Sequence, residues 1–281
     1  MSEAAPGSGG TLYVVATPIG NLGDITLRAL EVLRTVAVVA AEDTRVTHRL
    51  WSRYDIETPL TSYHAHSDDR RTAELLARLA TGDDVALVTD AGTPLVSDPG
   101  AVLVERWIGQ GGVVVPVPGA SAVLAALVVS GLPAARWGFE GFLPRKGRER
   151  KERLARIAAD DRATVLYEAH GRTAATLRDL ADACGGERRA VVARELTKLH
   201  EEVRRGDLAG LAEEAAARPV KGEVVIVIAG ATADDVALIS LEAGRAHVER
   251  LVAEGVKRSK AAALVAEETG LPRRELFATD S

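Results

Sequence analysis

The sequence predicts an α/β fold of two domains with mainly parallel sheets, plus a small helical appendage at the C-terminal end. Two patterns predict it. Seven short β-branched runs, residues 12–16, 36–40, 85–89, 113–117, 163–167, 190–194 and 224–229, are nearly continuous in apolar residues, as strands covered on both faces are. Helical periodicity fills most of the gaps, and strands alternating with helices build parallel sheets. In 281 residues seven strands could share one sheet; two smaller sheets fit the length better.

Taken in order, residues 1–10 are mostly Ala, Gly, Ser and Pro and lack the basic and apolar regions of a signal peptide, so they read as a disordered leader. The first α/β domain is expected over 11–118. Its first strand leads to a helix over 24–34, with Ile25, Leu27, Leu30, Val32 and Leu33 on one broad face. A helix over 68–80 carries Leu75, Leu76 and Leu79 before the strand at 85. The second domain is expected over 119–232, opening with an apolar helix over 120–130. A charged segment, 145–153, follows Leu143-Pro144, and Leu177, Leu180 and Ala181 mark a helix over 171–183. After Gly230 the strand pattern stops. In the appendage, 236–281, Ser259 is a candidate cap for a helix over 260–268, Thr269-Gly270 makes a turn, and Pro272 opens a second helix in a helix–turn–helix pattern.

Composition narrows the function. Apolar residues make up 47% of the chain, which excludes wholesale disorder. With 40 acidic and 35 basic residues the net charge is −5, which argues against nucleic-acid binding through bulk positive charge. An RNA-directed protein of this balance must gather its cations locally. Cys184 is the only cysteine, so an intrachain disulfide and a thiolate zinc site are excluded. The longest uncharged stretch, 108–135, is broken by Gly111, Gly112, Pro116, Pro118 and Gly119. The helix it leaves is too short for a bilayer of about 30 Å at ~1.5 Å per residue. A soluble protein of the reducing cytoplasm is expected.

Three strands run directly into Gly/Pro turns: Thr17-Pro18-Ile19-Gly20-Asn21, Asp90-Ala91-Gly92-Thr93-Pro94 and Pro118-Gly119-Ala120-Ser121-Ala122. In open α/β sheets ligands bind at the carboxyl ends of strands, where glycine admits a ligand to the backbone, and three such turns point to one shared pocket. No strand is followed by G-x-G-x-x-G, and neither a Walker loop nor G-x-S-x-G is present, so an ordinary dinucleotide, phosphate or nucleophile-elbow site is not expected. Glu42 and Asp43, beside Arg45, follow the second run. They suit a general base or substrate-orienting group, or equally the start of a helix, where carboxylates favour the positive end of the dipole. His64 and His66 would share a face if extended, but without a third ligand polar contacts are expected there and no metal. Phe139 and Phe142 lead into Arg145, Lys146 and Arg148, expected in a loop suited to phosphates, ahead of a solvated helix face in which Glu149 and Glu152 alternate with Arg150, Lys151 and Arg153.

The run from Leu12 to Thr26 resembles the opening of the tetrapyrrole-methylase superfamily and, more narrowly, of the ribosomal RNA small-subunit methyltransferase I family. The segments 41–45, 62–66, 90–94 with Ser97-Asp98-Pro99-Gly100, 118–122, 139–146, Tyr167-Glu168 and 193–202 match its pattern in order. One departure is Ala169-His170-Gly171-Arg172, where His170 stands one place early and Arg172 keeps its place. The resemblance implies a tetrapyrrole-methylase-like fold, S-adenosylmethionine as cofactor, a homodimer, and 2′-O-methylation of a decoding-region cytidine in 16S rRNA, either naked or in the assembled small subunit. It implies cofactor contacts from Pro18, Ile19, Asp90, Thr93, Val96, Ser121, Ala122, Tyr167 and Glu223. Asp43, Glu42 and Asp98 are the candidate bases, with Asp43 favoured because Arg45 can orient it, and Arg145, Lys146 and Arg148 the candidate RNA contacts. The rivals are carbon methylation of a corrin within the same superfamily and a ligand-sensing DNA-binding regulator.

Overall fold

The structure, a computed structural model, describes residues 9–64, 69–269 and 271–278, without the side chains of 233–240 and 268. Its contacts form two units: the residues up to Val129 with Arg194–Glu202, and Ser130–Ala193 with the residues from Val203 on. The apolar helix expected to open the second domain thus packs almost wholly with the first unit. Of the expected leader, only Gly9 and Gly10 are described, and the Gly10 amide donates to Leu79 O at 2.7 Å.

In the first unit the order is β1 (Thr11–Val15), α1 (Leu27–Thr35), β2 (Val38–Ala41), α2 (Thr44–Tyr54), β3 (Leu60–Ser62), α3 (Asp69–Ala80), β4 (Val85–Val88), α4 (Ala101–Gly109), β5 (Val113–Val117) and α5 (Ala122–Ser130). The strands lie parallel in the order β3-β2-β4-β1-β5. Both faces are covered, which is why β2 and β4 are apolar without alternation. Leu30, Leu33, Leu50 and Trp51 of α1 and α2 pack on Val15, Val39 and Val88. On the other face Leu75, Leu79, Leu103 and Trp107 of α3 and α4 pack on Leu12, Val85 and Leu87. Pro116, which has no amide to give a ladder, sits in the edge strand β5. The neighbours β1 and β4 are followed by helices on opposite faces, so their carboxyl ends mark the point where such sheets bind ligands.

In the second unit β6 (Trp137–Phe142), α6 (Arg148–Ala159), β7 (Ala163–Ala169), α7 (Thr173–Cys184), β8 (Arg189–Arg194), β9 (Glu202–Asp207), α8 (Leu208–Ala217) and β10 (Glu223–Ile228) precede three helices. The sheet order is β6-β7-β10-β8-β9. It is mixed rather than parallel throughout: β6 runs parallel to β7, and β10 antiparallel to it. Leu154, Ile157, Leu177, Leu180, Leu208 and Leu211 pack together with Leu166, Val192 and Ile226.

The appendage consists of α9 (Ala233–Ala253), α10 (Arg258–Thr269) and α11 (Arg273–Phe277), with a core of its own around Val248, Ala261, Val265 and Leu276. Ser259 is not its cap. It lies inside α10, whose Lys260 and Ala261 amides donate to Lys257 O at 2.8 and 2.9 Å. Among the described residues no helix is long and apolar enough to cross a membrane.

Candidate active site

The three Gly/Pro turns after β1, β4 and β5 meet at one end of the first sheet. Thr17 and Gly92 exchange both backbone hydrogen bonds, at 2.8 and 3.0 Å, and the Thr17 hydroxyl donates to Thr89 O at 3.0 Å. Gly92 has φ +83, a conformation open to glycine at little cost, and a side chain there would meet Ile19 at 3.4 Å. The third turn is tied in by Thr93 Oγ1 donating to Ala120 O at 3.3 Å. Pro18, Ile19, Asp90, Thr93, Val96, Ser121 and Ala122 are thereby gathered on the carboxyl ends of adjacent strands. Ser121 begins α5: its carbonyl accepts from Ala125 N at 2.9 Å. Between Gly92 and Gly100, the non-glycine residues Leu95 (φ 72) and Ser97 (φ 70) are left-handed. Such backbone costs of order 1–3 kcal/mol per residue and collects at functional loops.

The remaining two cofactor candidates belong to the second unit. Tyr167 lies on β7 with its ring 4.9 Å from that of Phe139 and 5.6 Å from that of Phe142. Glu223 opens the neighbouring strand β10, opposite Ala169.

Four carboxylates, Glu42, Asp43, Asp90 and Asp98, gather around the loops after β2 and β4. Glu42 Oε2 accepts from the Thr89 hydroxyl at 2.7 Å and from Asp90 N at 3.3 Å, while Asp90 Oδ1 accepts from Asp43 N at 2.9 Å. Asp43 caps α2 by accepting from Arg45 N at 2.9 Å, and the Arg45 guanidinium grips the same carboxylate. That grip, above all, holds the Asp43 carboxyl down at about 2. Asp98 is the opposite case. Partial burial, then the charge of Glu42, pushes its carboxyl up to about 6, with a Thr89 hydrogen bond opposing. Thr89 has one hydroxyl proton and commits it to Glu42, so the opposition is weak. Burial also raises Asp90.

A concentration of carboxylates on strand ends attracts a cationic small molecule and repels phosphate. This fits the missing phosphate loops. A carboxyl poised near 6 accepts a proton at neutral pH far better than one held near 2. The sequence pattern favours Asp43 because Arg45 adjoins it, yet that same contact makes it a weaker base than Asp98. Thr89, which donates to Glu42, is not singled out by the sequence pattern, although it ends an apolar run beside a turn.

In the second unit Arg145 and Lys146 are exposed in the loop between β6 and α6. Arg148 is not a loop residue: it is the first residue of α6, paired with Glu152 at 2.6 Å. The rest of the charge run is a solvated face only in part: Glu149, Lys151 and Glu152 are exposed, and two of its arginines are not. Arg150 is buried against Asp179, and the side chain of Arg153 is 15% exposed, beside Glu140. Their partners lie far off in sequence, which hides the burial from a local reading. His66 lies outside the described residues, and among those described no group of three or more His, Cys, Asp or Glu is set to hold a metal.

The family model for Tetrapyrrole (Corrin/Porphyrin) Methylases matches residues 11–212. A protein of Synechocystis sp. named ribosomal RNA small subunit methyltransferase I is 50% identical over 95% of this chain and 96% of its own length. One of the same name from Pseudomonas aeruginosa is 48% identical over 96% of each chain. Among solved structures, uroporphyrin-III C-methyltransferase from Thermus thermophilus, complexed with S-adenosyl homocysteine, aligns with a TM-score of 0.57 at 20% identity, over 78% of this chain and 97% of that one. A diphthine synthase aligns with a TM-score of 0.61 at 19% identity, over 78% and 90%. At these identities the two structures show the fold alone.

Proposed function

The chain belongs to the tetrapyrrole methylase family and, within it, to the ribosomal RNA small subunit methyltransferase I proteins; from that premise we propose that it methylates the ribose 2′-oxygen of a decoding-region cytidine in 16S rRNA. It is an S-adenosylmethionine-dependent rRNA methyltransferase. The observation that carries the chemistry is the carboxylate cluster at the strand ends, a donor set suited to a cofactor with a sulfonium and an ammonium charge.

When bound, S-adenosylmethionine would supply a methyl group to an attacking oxygen, its carbon–sulfur bond breaking to leave a neutral thioether. Asp90, Ser121 and Thr93, with the backbone around Pro18, Ile19, Val96 and Ala122, are the residues of the first unit that would hold it. The protein's work is largely positioning. A ribose hydroxyl is a poor nucleophile with its proton in place, so the Asp98 carboxylate takes that proton as the new carbon–oxygen bond forms. The raised carboxyl of Asp98 supports this role, and burial together with the Glu42 charge keeps it raised. Asp43 caps α2 and positions Asp90 through its amide. Arg145 and Lys146 contact RNA phosphates, with Arg148 a weaker contributor because Glu152 neutralises it.

The same reading makes the protein a cytoplasmic homodimer. Its apolar surface includes Leu124 and Val128, 52% and 81% exposed on α5. Sedimentation at micromolar concentration tests the dimer. Transfer of labelled methyl from S-adenosylmethionine to small ribosomal subunits and to naked 16S rRNA, followed by alkaline hydrolysis, tests the activity, because a 2′-O-methyl group blocks cleavage at its own phosphodiester. A label that is alkali-labile at every position, or that goes only to a tetrapyrrole, overturns it.

A further inference from the structure

Three successive carbonyls immediately before Arg145-Lys146 are each held by a different arginine. Phe142 O accepts from Arg153 Nη1 at 3.0 Å, Leu143 O from Arg172 Nη2 at 2.9 Å, and Pro144 O from Arg150 Nη1 at 2.8 Å. The arginines come from α6 and from the turn entering α7, and their side chains are 15%, 29% and 9% exposed.

Each guanidinium is itself fixed. Glu168, whose side chain is fully buried, accepts from Arg172 Nε at 2.8 Å, Arg172 Nη2 at 3.0 Å, Thr176 Oγ1 at 2.5 Å and Ala169 N at 2.7 Å. Arg150 bridges Thr176 Oγ1 at 3.0 Å and Asp179 at 2.8 Å, and Arg153 pairs with Glu140 at 2.8 Å. Buried ion pairs of this kind add little net stability compared with apolar packing, but they fix geometry. Here what they fix is the last residue of β6 and the two that follow it, leading directly to two exposed cations.

We propose that Arg150, Arg153 and Arg172, held by Asp179, Glu140 and Glu168 respectively, are positioning residues that set the basic loop for docking RNA phosphates. The Tyr-Glu…Arg motif then has a physical role, in which Glu168 and Arg172 brace the loop. An Arg-to-Lys change keeps the charge but loses the fork that reaches a carboxylate and a carbonyl at once. This inference rests on the reading of Arg145 and Lys146 as RNA contacts.

The test compares Arg150→Lys, Arg172→Lys and Arg153→Lys with the double variant Arg145→Ala/Lys146→Ala, all in the full chain. Methyl transfer to small ribosomal subunits gives KM and kcat, calorimetry gives S-adenosylmethionine affinity, and hydrogen exchange reports the amides of Arg145 to Gly147. Each Lys variant is expected to raise KM for RNA about tenfold, leave kcat and cofactor affinity within twofold, and speed exchange in the loop. Arg153→Lys, whose partner Glu140 lies outside the Glu168–Thr176–Asp179 network, covers the case in which Arg150→Lys fails to fold. A lowered Tm with KM and loop exchange unchanged overturns the proposal. If the Ala double variant leaves KM unchanged while the Lys variants still speed loop exchange, the RNA reading fails and the bracing stands.

Discussion

The Thr89 hydroxyl donates to Glu42 Oε2 at 2.7 Å, and its one proton is thereby turned away from the neighbouring carboxyl of Asp98. With its proton committed to Glu42, Thr89 offers Asp98 little, while burial and the Glu42 charge push Asp98 up to about 6.

The pH dependence follows from this. Single-turnover methylation is expected to rise about tenfold per pH unit below 6 and to level off above it, as Asp98 loses its proton. Asp98→Asn is expected to lower the plateau by about 10²–10⁴-fold, the range for loss of a general base, and to abolish the inflection near 6. Rates that keep the inflection in the variant assign it to another group.

The same shift predicts a stability change. A carboxyl raised from 3.8 to about 6 in the folded state binds its proton more tightly there than in the unfolded chain, so its stabilising effect is whole below 3.8 and lost as pH rises through 6. At pH 7.5 Asp98→Asn removes an unfavourable charge and is expected to stabilise the protein by ~1 kcal/mol. Two full pK units correspond to ~2.7 kcal/mol, but Asp98 is only partly buried and solvent screens it. Thermal melts of the pair should converge near pH 4.

Asp43→Asn should separate capping from chemistry. Asparagine caps a helix as well as aspartate, so α2 keeps its start. The Arg45 guanidinium loses its grip, yet the Asp43 amide still donates to Asp90. The single-turnover rate at saturating cofactor is expected to stay within about threefold of the parent. A fall of a hundredfold would make Asp43 the base instead.

What could be read from sequence was whatever local pattern determines. All seven apolar runs are strands, because strands covered on both faces carry their signature within five or six residues. The missed strands lack it: β3 has three residues, β6 is interrupted by Gly138, Glu140 and Gly141 with a bulge at Phe139/Gly141, and β9 is a charged edge. The site divides the same way. The glycine turns were visible because a tight turn is a local requirement. The Asp98 shift was not, since it comes from burial and from Glu42, which reaches it from the end of another strand. Arg150 looked solvated for the same reason: its partner Asp179 comes from α7.

Cofactor binding gives a separate check on the strand-end assignment. Asp90→Ala removes a carboxylate from the cluster and the acceptor of the Asp43 amide, and Ser121→Ala removes a hydroxyl at the start of α5. Each is expected to weaken S-adenosylmethionine binding at least tenfold by calorimetry, about 1.4 kcal/mol. Unchanged affinity in both would move the cofactor away from these turns.

RNA binding should report the local charge that the net balance of −5 conceals. Arg145 and Lys146 are exposed ahead of α6, whereas Arg148 spends its charge on Glu152 at 2.6 Å. Each phosphate contact releases counterions, so neutralising one lowers the slope of log affinity against log salt by ~0.7–0.9. Arg145→Ala/Lys146→Ala is therefore expected to weaken binding to a 16S rRNA fragment and to flatten the salt slope by ~1.5. Arg148→Ala should change it by less than half a unit, because removing a neutralised cation frees a carboxylate and releases few counterions. An equal effect of all three would mean that Glu152 lets go of Arg148 when RNA arrives.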